Sequence, residues 1–440
     1  MKVQQVFTPN DTPTVTYVDR SEHKLEQTLR DYCATPNIVV SLSGPSKSGK
    51  TVLIKKVVSE DLLIPVVGAG ISSADNLWER VLHWMGTPTE TTETKISGGE
   101  LSAGAEGGGK AGIPLFAEGT ASVSAATSMS WGSEKSVTTR VDALSQVIKE
   151  IAGSEFVVFI DDFHYIRLDV REEIGRQIKA AAENGVKIIT ASVPHRSDDV
   201  VRSNPELRGR VASLDLAYWT NDELIQIAEK GFSRLNVDLA PPVKKALASE
   251  SFGSPQLMQS ICLNLCYELS IKETFPEQKR IEVSNSDLTE TLLRTSSFSD
   301  FSKMLTALHT GPRTRGTERK LHDFLDGSGG DVYRAILIAI KEDPAQLSFP
   351  YDVILDRVRK VCLGDPPVGS SVTSALEQMH IIAEEVQPGT SPISWDEATL
   401  DIADPYFLFF LRCSGKLQSL GQGPGTFSSG AQGTLKLEQS

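Results

Sequence analysis

Apolar positions in the first half of the chain alternate between two spacings. Residues 37–42 (NIVVSL), 62–67 (LLIPVV), 156–160 (FVVFI), 187–192 (KIITAS) and 211–216 (VASLDL) are short runs rich in apolar, β-branched residues. Such runs mark strands buried on both faces of a parallel sheet. Residues 51–59, 74–85 and 171–184 read as the intervening helices, the second clearly amphipathic. Gly185 follows the third, where a left-handed residue can close a helix. Strands alternating with helices predict a parallel, doubly wound α/β sheet with right-handed crossovers.

Residues 86–135 interrupt this pattern with a stretch rich in Gly, Ser, Thr and Ala. Within 113–131, Ile113, Leu115 and Ala117, then Ala121, Val123 and Ala125, recur with a period near two. The stretch reads either as a disordered surface loop or as a β-hairpin insertion that orders in an assembly. Past the last strand the pattern turns helical. Thr220 and Glu223 form a T-x-x-E capping box opening a helix to about Leu235. Helices at 241–249, 255–271 and 287–294 complete a helical lid. Helices at 331–342, 351–362 and 371–379 are followed by strand-like runs at 381–386 and 393–402, with a turn at 387–392 between them. Three helices and a hairpin predict a winged helix. The expected division is an N-terminal segment (1–35), a core (36–217, with the 86–135 insertion), the lid (218–300), the winged-helix-like domain (301–413) and a flexible Gly/Ser/Gln-rich tail (414–440).

The candidate chemistry sits between the first strand and the first helix. Gly44-Pro45-Ser46-Lys47-Ser48-Gly49-Lys50-Thr51 fits G-x-x-x-x-G-K-[ST] in full. Glycines let successive backbone N–H groups curl around a phosphate, and the helix that begins at about Thr51, with Val52 in its first turn also counted among the binding residues, adds its positive end. Lys50 is placed to reach β- and γ-phosphates, and the Thr51 hydroxyl to ligate Mg2+. Lys47 reads as a solvated side chain rather than a second catalytic lysine. The run 156–160 ends in Asp161 and Asp162. A buried strand ending in an acid brings a carboxylate to the sheet edge beside the phosphate loop, so Asp161 is the expected Mg2+ holder. Asp162 is either the general base or the cap of the following turn. Its arm is one methylene shorter than that of Glu, and slow turnover would follow.

Charge and cysteine content narrow the possibilities. At 440 residues and 40% hydrophobic content the chain is an ordinary globular one, long enough for several domains. Its formal net charge of −13 argues against a protein whose main task is neutralising nucleic-acid phosphates. The five cysteines lack CxxC spacing. Cys262 and Cys266, four apart on a helix, read as buried thiols rather than a metal pair, as expected of a reducing cytosol. No stretch reaches the roughly 18 apolar residues of a membrane span, and a soluble cytoplasmic chain is expected. Residues 368–379, the expected recognition helix and its lead-in, carry no Lys or Arg. Glu384, Glu385, Asp396, Glu397, Asp401 and Asp404 follow close behind. Such a face repels phosphate, which favours a structural or partner-docking role.

Taken together, these motifs resemble the ASCE branch of P-loop ATPases, at the border of origin-recognition-like AAA+ proteins and STAND signalling ATPases, over roughly residues 17–412. The resemblance implies ATP and Mg2+ as ligands and adds residues. Val18 and Arg20, in Tyr17-Val18-Asp19-Arg20, stand where such proteins lay a Val/Gly-x-Arg element against adenine. Thr190 or Ser192 matches a polar sensor. Gly253-Ser254-Pro255 has the form of a G-x-P element that sets proline on the base, although Pro255 is equally placed as the first residue of a helix. Arg208 and Arg210 are candidates for an arginine finger reaching a neighbour's γ-phosphate, and His195-Arg196 could also face phosphate. By the same resemblance the chain is a nucleotide-controlled switch that self-associates or acts on a separately encoded effector, in prokaryotic signalling or anti-phage defence. The alternatives are a DNA-directed AAA+ loader or transposition regulator, and a nucleotide-bound scaffold without turnover.

Overall fold

The fold is taken from a computed structural model, which describes residues 1–87, 90–94, 136–140, 142–193, 207–313, 319–396 and 398–421. Five parallel strands form the central sheet: β1 (Val39–Ser43), β2 (Leu63–Val67), β3 (Val157–Asp161), β4 (Lys187–Ser192) and β5 (Val211–Asp215). Their order is β2-β3-β4-β1-β5. Alternation along each strand feeds two layers. Val39, Val158, Ile160 and Ile188 face helices α3 (Ala74–Met85), α4 (Ala143–Ile151) and α5 (Leu168–Glu183). Val40, Leu42, Phe159 and Ile189 face α1 (Leu25–Ala34) and α2 (Lys50–Val57). Neither α1 nor α4 was expected from the sequence. A ladder of Glu90–Thr94 against Ser136–Arg140 closes the base of the insertion. The alternation at 113–131 lies outside the described residues, as do His195 and Arg196.

The lid contains α6 (Asn221–Arg234), α7 (Pro241–Ser249), α8 (Pro255–Glu268) and α9 (Asn285–Ser296). The expected capping box is present: the Glu223 N–H donates to Thr220 Oγ1 at 3.3 Å, and the Thr220 N–H to Glu223 Oε2 at 2.8 Å. Cys262 and Cys266 lie buried on α8, within the lid core. Then come α10 (Ser302–Thr310), α11 (Val332–Lys341), α12 (Tyr351–Val361) and α13 (Gly369–Val386). Strands β6 (Ser348–Pro350), β7 (Ile393–Asp396) and β8 (Thr399–Ile402) form an antiparallel sheet in the order β6-β8-β7. Helices α11 to α13 with this sheet make the winged helix.

Two sequence expectations fail here. Residues 381–386 are not a strand but the last turns of α13. Val372, Ala375, Leu376, Met379 and Ala383 are buried at helical spacing, and the apparent strand begins at Ile381, which is 45% exposed. The hairpin instead forms within 393–402, turning beside Ala398, whose φ is +58°. The tail is also ordered further than expected: a short helix, Lys416–Leu420, buries Leu417, and the Arg334 guanidinium donates to the Leu417 carbonyl at 3.0 Å. Among the described residues no helix is long and apolar enough to cross a membrane.

Helix α14 (Pro405–Cys413), absent from the sequence reading, runs from the winged helix back into the lid with residues 405–411 all buried. Phe409 packs on Phe252, and Arg412 donates to Glu250 at 2.8 Å. Lid and winged helix therefore share one continuous core. The N-terminal residues Val3, Val6 and Phe7 belong to the same core, Phe7 stacking 5.1 Å from Phe232. Gly231 makes room for that ring, since a Cβ there would stand 2.2 Å from Phe7. Gly231→Ala gains about 1 kcal/mol of helix propensity but overpacks a closed site, which costs about 1–3 kcal/mol. A net loss of stability is expected in denaturant unfolding; a stabilised variant would show that Phe7 is not held there.

Candidate functional site

The C-terminal ends of β1 and β3 deliver the phosphate loop and the acidic pair to one edge of the sheet. The loop's path depends on backbone that few side chains tolerate. Gly49 has φ +95° and Lys47 φ +64°, both in the left-handed region. A Cβ on Gly44 would lie 2.8 Å from Leu216 Cβ. The Gly44 N–H donates to the Ser192 carbonyl at 3.2 Å, tying the loop to β4. Lys50 is only 8% exposed, and its ammonium donates to the carbonyls of Gly44 (2.7 Å) and Pro45 (2.9 Å). Burial lowers its pKa to about 8, against the opposing pull of Asp161 and Asp162.

The two expected metal ligands meet. Thr51 Oγ1 donates to Asp161 Oδ2 at 3.1 Å, and Asp161 Oδ1 accepts the Asp162 N–H at 2.9 Å. A hydroxyl and a carboxylate are hard oxygen donors suited to Mg2+. The orphaned hydroxyl of Ser48, buried on the cavity-lining loop without a hydrogen-bond partner among the described residues, fits a polar ligand at the loop. Asp162 is itself left-handed, with φ +53°. Burial raises its pKa, the neighbouring Asp161 raises it further, and Lys50 and Lys47 oppose both effects. The sequence reading missed Gly68, at the end of β2. Its N–H donates to the Asp161 carbonyl at 2.7 Å, and a Cβ there would stand 2.4 Å from the Asp162 carbonyl oxygen. Only glycine lets β2 end so close to the acids.

A cavity of about 500 Å3 opens over these groups. Its wall includes Ser46, Lys47, Ser48, Gly49, Lys50, Thr51 and Val52, the carboxylates Asp161 and Asp162, and Val18, Arg20 and Pro255. Gly44 and Pro45 stand behind Lys50 as its carbonyl partners. Pro255 opens α8 as its first residue and also lines the cavity. Arg20 is committed elsewhere: its guanidinium clasps Glu223 through Nε (2.7 Å) and Nη2 (3.3 Å), donates to the Ala217 carbonyl, and stacks over Trp219. The Trp219 indole N–H donates to the Ser48 carbonyl at 2.9 Å. Trp219 thus braces the loop directly, and Glu223 holds Arg20 over the indole ring. Only the place of Trp219 next to a helix cap could have drawn attention to it in the sequence.

Thr190 and Ser192 are buried on β4 beneath the loop and do not line the cavity; Thr190 Oγ1 makes a long 3.5 Å contact with the Val40 carbonyl. Arg208 and Arg210 are exposed just before β5. Val211 pairs with Val39, at the start of β1, so both arginines lie at the sheet edge opposite the phosphate loop. Arg210 is ion-paired with Glu183. Within one chain, neither arginine reaches the cavity.

No protein-family model matches the chain, and no curated protein does. Solved structures do resemble it. The Walker-type ATPase PABY2304 of Pyrococcus abyssi shares 15% identity over 93% of this chain and 99% of that one, with a TM-score of 0.50. The ORC2 protein of Aeropyrum pernix, in its ADPNP–ADP complexes, shares 13% over 95% and 98%, with a TM-score of 0.46. Cdc6p from Pyrobaculum aerophilum shares 13% over 95% and 99%, with a TM-score of 0.41. At 15% identity it is the fold that the Pyrococcus abyssi structure shares with this chain: a parallel P-loop sheet, followed by a helical lid and a winged helix.

Proposed function

We propose that this chain binds ATP with Mg2+ and hydrolyses it slowly, using the nucleotide to switch its conformation or self-association and so control a partner. The observation that carries the reading is the contact between Thr51 and Asp161, which joins the phosphate loop to the acidic strand at a single cavity. Thr51 and Asp161 would hold Mg2+, which when bound neutralises charge on the phosphate oxygens. Lys50 would exchange the carbonyls of Gly44 and Pro45 for β- and γ-phosphate oxygens. Asp162, partly desolvated, would orient the attacking water and accept its proton; its short arm is the basis for slow turnover. The likeness of the motifs to STAND ATPases supports a separately encoded effector and a role in prokaryotic signalling or defence. Arg208 and Arg210, unable to reach the cavity of their own chain, would act only on a neighbouring copy. A DNA loader is disfavoured by α13, which carries Glu377, Glu384 and Glu385 and no Lys or Arg.

Lys50→Ala should abolish ATP binding in a fluorescent-nucleotide titration; wild-type affinity in that variant refutes the site. Asp162→Ala should retain binding and lose phosphate release, and unchanged release removes Asp162 from its role.

The depressed pKa of Lys50 adds a pH test. Its folded pKa of about 8 lies below its ordinary 10.5, so the cost of burying its charge is full below pH 8 and is relieved between 8 and 10.5. Folding stability should rise with pH across that window. Phosphate favours the ammonium, so ATP affinity should be full below pH 8 and fall above it, with proton uptake on binding. Calorimetry at pH 8.5 in buffers of different ionisation enthalpy checks this; zero uptake would exclude Lys50 as the titrating contact.

A further inference from the structure

The loop carries a second lysine whose surroundings are specific. Lys47 lines the cavity and is solvent-exposed, with its backbone held left-handed at φ +64°, a conformation that residues with a Cβ adopt rarely and that concentrates at functional sites. Its ammonium lies 5.2 Å from the ring centroid of Tyr406, the second residue of α14. That ring is fixed: Tyr406 is 8% exposed, its hydroxyl hydrogen-bonds Ser260 of the lid at 3.0 Å, and its N–H donates to Asp404 Oδ1 at 2.9 Å. Lys47 is close enough to two carboxylates, Asp162 in the cavity and Asp404 at the head of α14, to lower the pKa of each against the effect of burial. An ammonium has three donors, and a ring on one side leaves others for the cavity.

Among the described residues, Arg208 and Arg210 stand at the opposite sheet edge, and Arg20, which lines the cavity, is clasped to Glu223. We propose that Lys47 is a second phosphate-facing cation, supplied by the loop itself, that stabilises the charge developing during γ-phosphoryl transfer, with Tyr406 and Asp404 as its positioning residues. The proposal rests on the ATP site described above. In the step it serves, a water oxygen bonds to the γ-phosphorus, and the bond from that phosphorus to the β–γ bridging oxygen breaks. The electron pair stays on ADP, and the water proton passes to Asp162. Only ATP and water are consumed. Cations at the transferring phosphoryl group act by electrostatic stabilisation of this transition state. Hydrolysis then requires α14 to be docked, since an undocked helix removes the ring against which Lys47 is held.

The test uses the full-length protein, with ATP affinity and steady-state turnover measured separately. Lys47→Met, close to isosteric, should keep ATP affinity within a few-fold and lower kcat on the order of 10²-fold, and Lys47→Arg should restore most of the rate. Tyr406→Phe, which keeps the ring, should turn over nearly as fast as the unaltered protein. Tyr406→Leu should lose kcat with little change in KM, thermal melting confirming that it folds. Unchanged kcat in Lys47→Met overturns the proposal. So does loss of ATP binding in that variant, which would make Lys47 a ground-state ligand, and so do equal effects of Phe and Leu at 406. If the unaltered protein binds no ATP, the site reading itself fails. If it binds ATP but shows no turnover, the hydrolysis reading fails together with the role given to Lys47, while the ATP site stands. A turning-over protein with unchanged kcat in Lys47→Met overturns the role of Lys47 alone.

Discussion

The structure around the cavity is organised by the burial of one ammonium. Lys50 sits in the loop with no carboxylate bonded to it among the described residues, its charge met by the carbonyls of Gly44 and Pro45. A buried cation is tolerated only where such acceptors converge, and they converge because the loop curls through Gly49 and Lys47 in left-handed conformations. The same curl places Thr51 at the first turn of α2, against Asp161. One backbone path thus fixes the lysine, the hydroxyl and the acid together. The close approaches at Gly44 and Gly68 keep β2, β5 and the acidic pair near enough for that path to hold.

How legible each part was depends on how local its determinants are. The five strands, the loop and the Thr220–Glu223 capping box are set by neighbours in sequence, and their residues could be read directly. Where a local pattern had two solutions, the tertiary context chose. Ile381, Ile382 and the residues after them look like a strand start, but the buried row from Val372 to Ala383 continues the helix through them. Helix α14 reads as a featureless apolar stretch because nearly all of it is inside a core assembled from residues some 150 positions away, such as Phe252. The braces of the loop were invisible for the same reason. The Trp219–Ser48 bond spans 171 positions, and no spacing rule connects Lys47 to Tyr406.

Two kinds of packing meet at the cavity. The central sheet has its own two layers of apolar side chains, on either face. Lid, winged helix and N-terminal strap share a different core, so they are held to one another more firmly than a set of separate modules would be. Between the two bodies the contacts around the cavity include polar and aromatic ones: Trp219 on Ser48, Tyr406 against Lys47, and Arg20 joining the segment before α1 to Glu223 of the lid.

That division gives charge at the loop unusual leverage. Apolar cores are bistable as rigid units and resist continuous deformation, whereas a cation over a ring contributes about 0.5–2 kcal/mol and a single neutral hydrogen bond about 0.5–1.5 kcal/mol. A triphosphate near Lys47 and Lys50 alters the field at both lysines. One of them touches α14 directly, and the other bonds the loop carbonyls next to the residues that Trp219 braces. The contacts that change are therefore the weak ones at the seam, while the strong packing on either side carries any displacement over the length of the lid and winged helix. Those are the properties a nucleotide-driven switch needs.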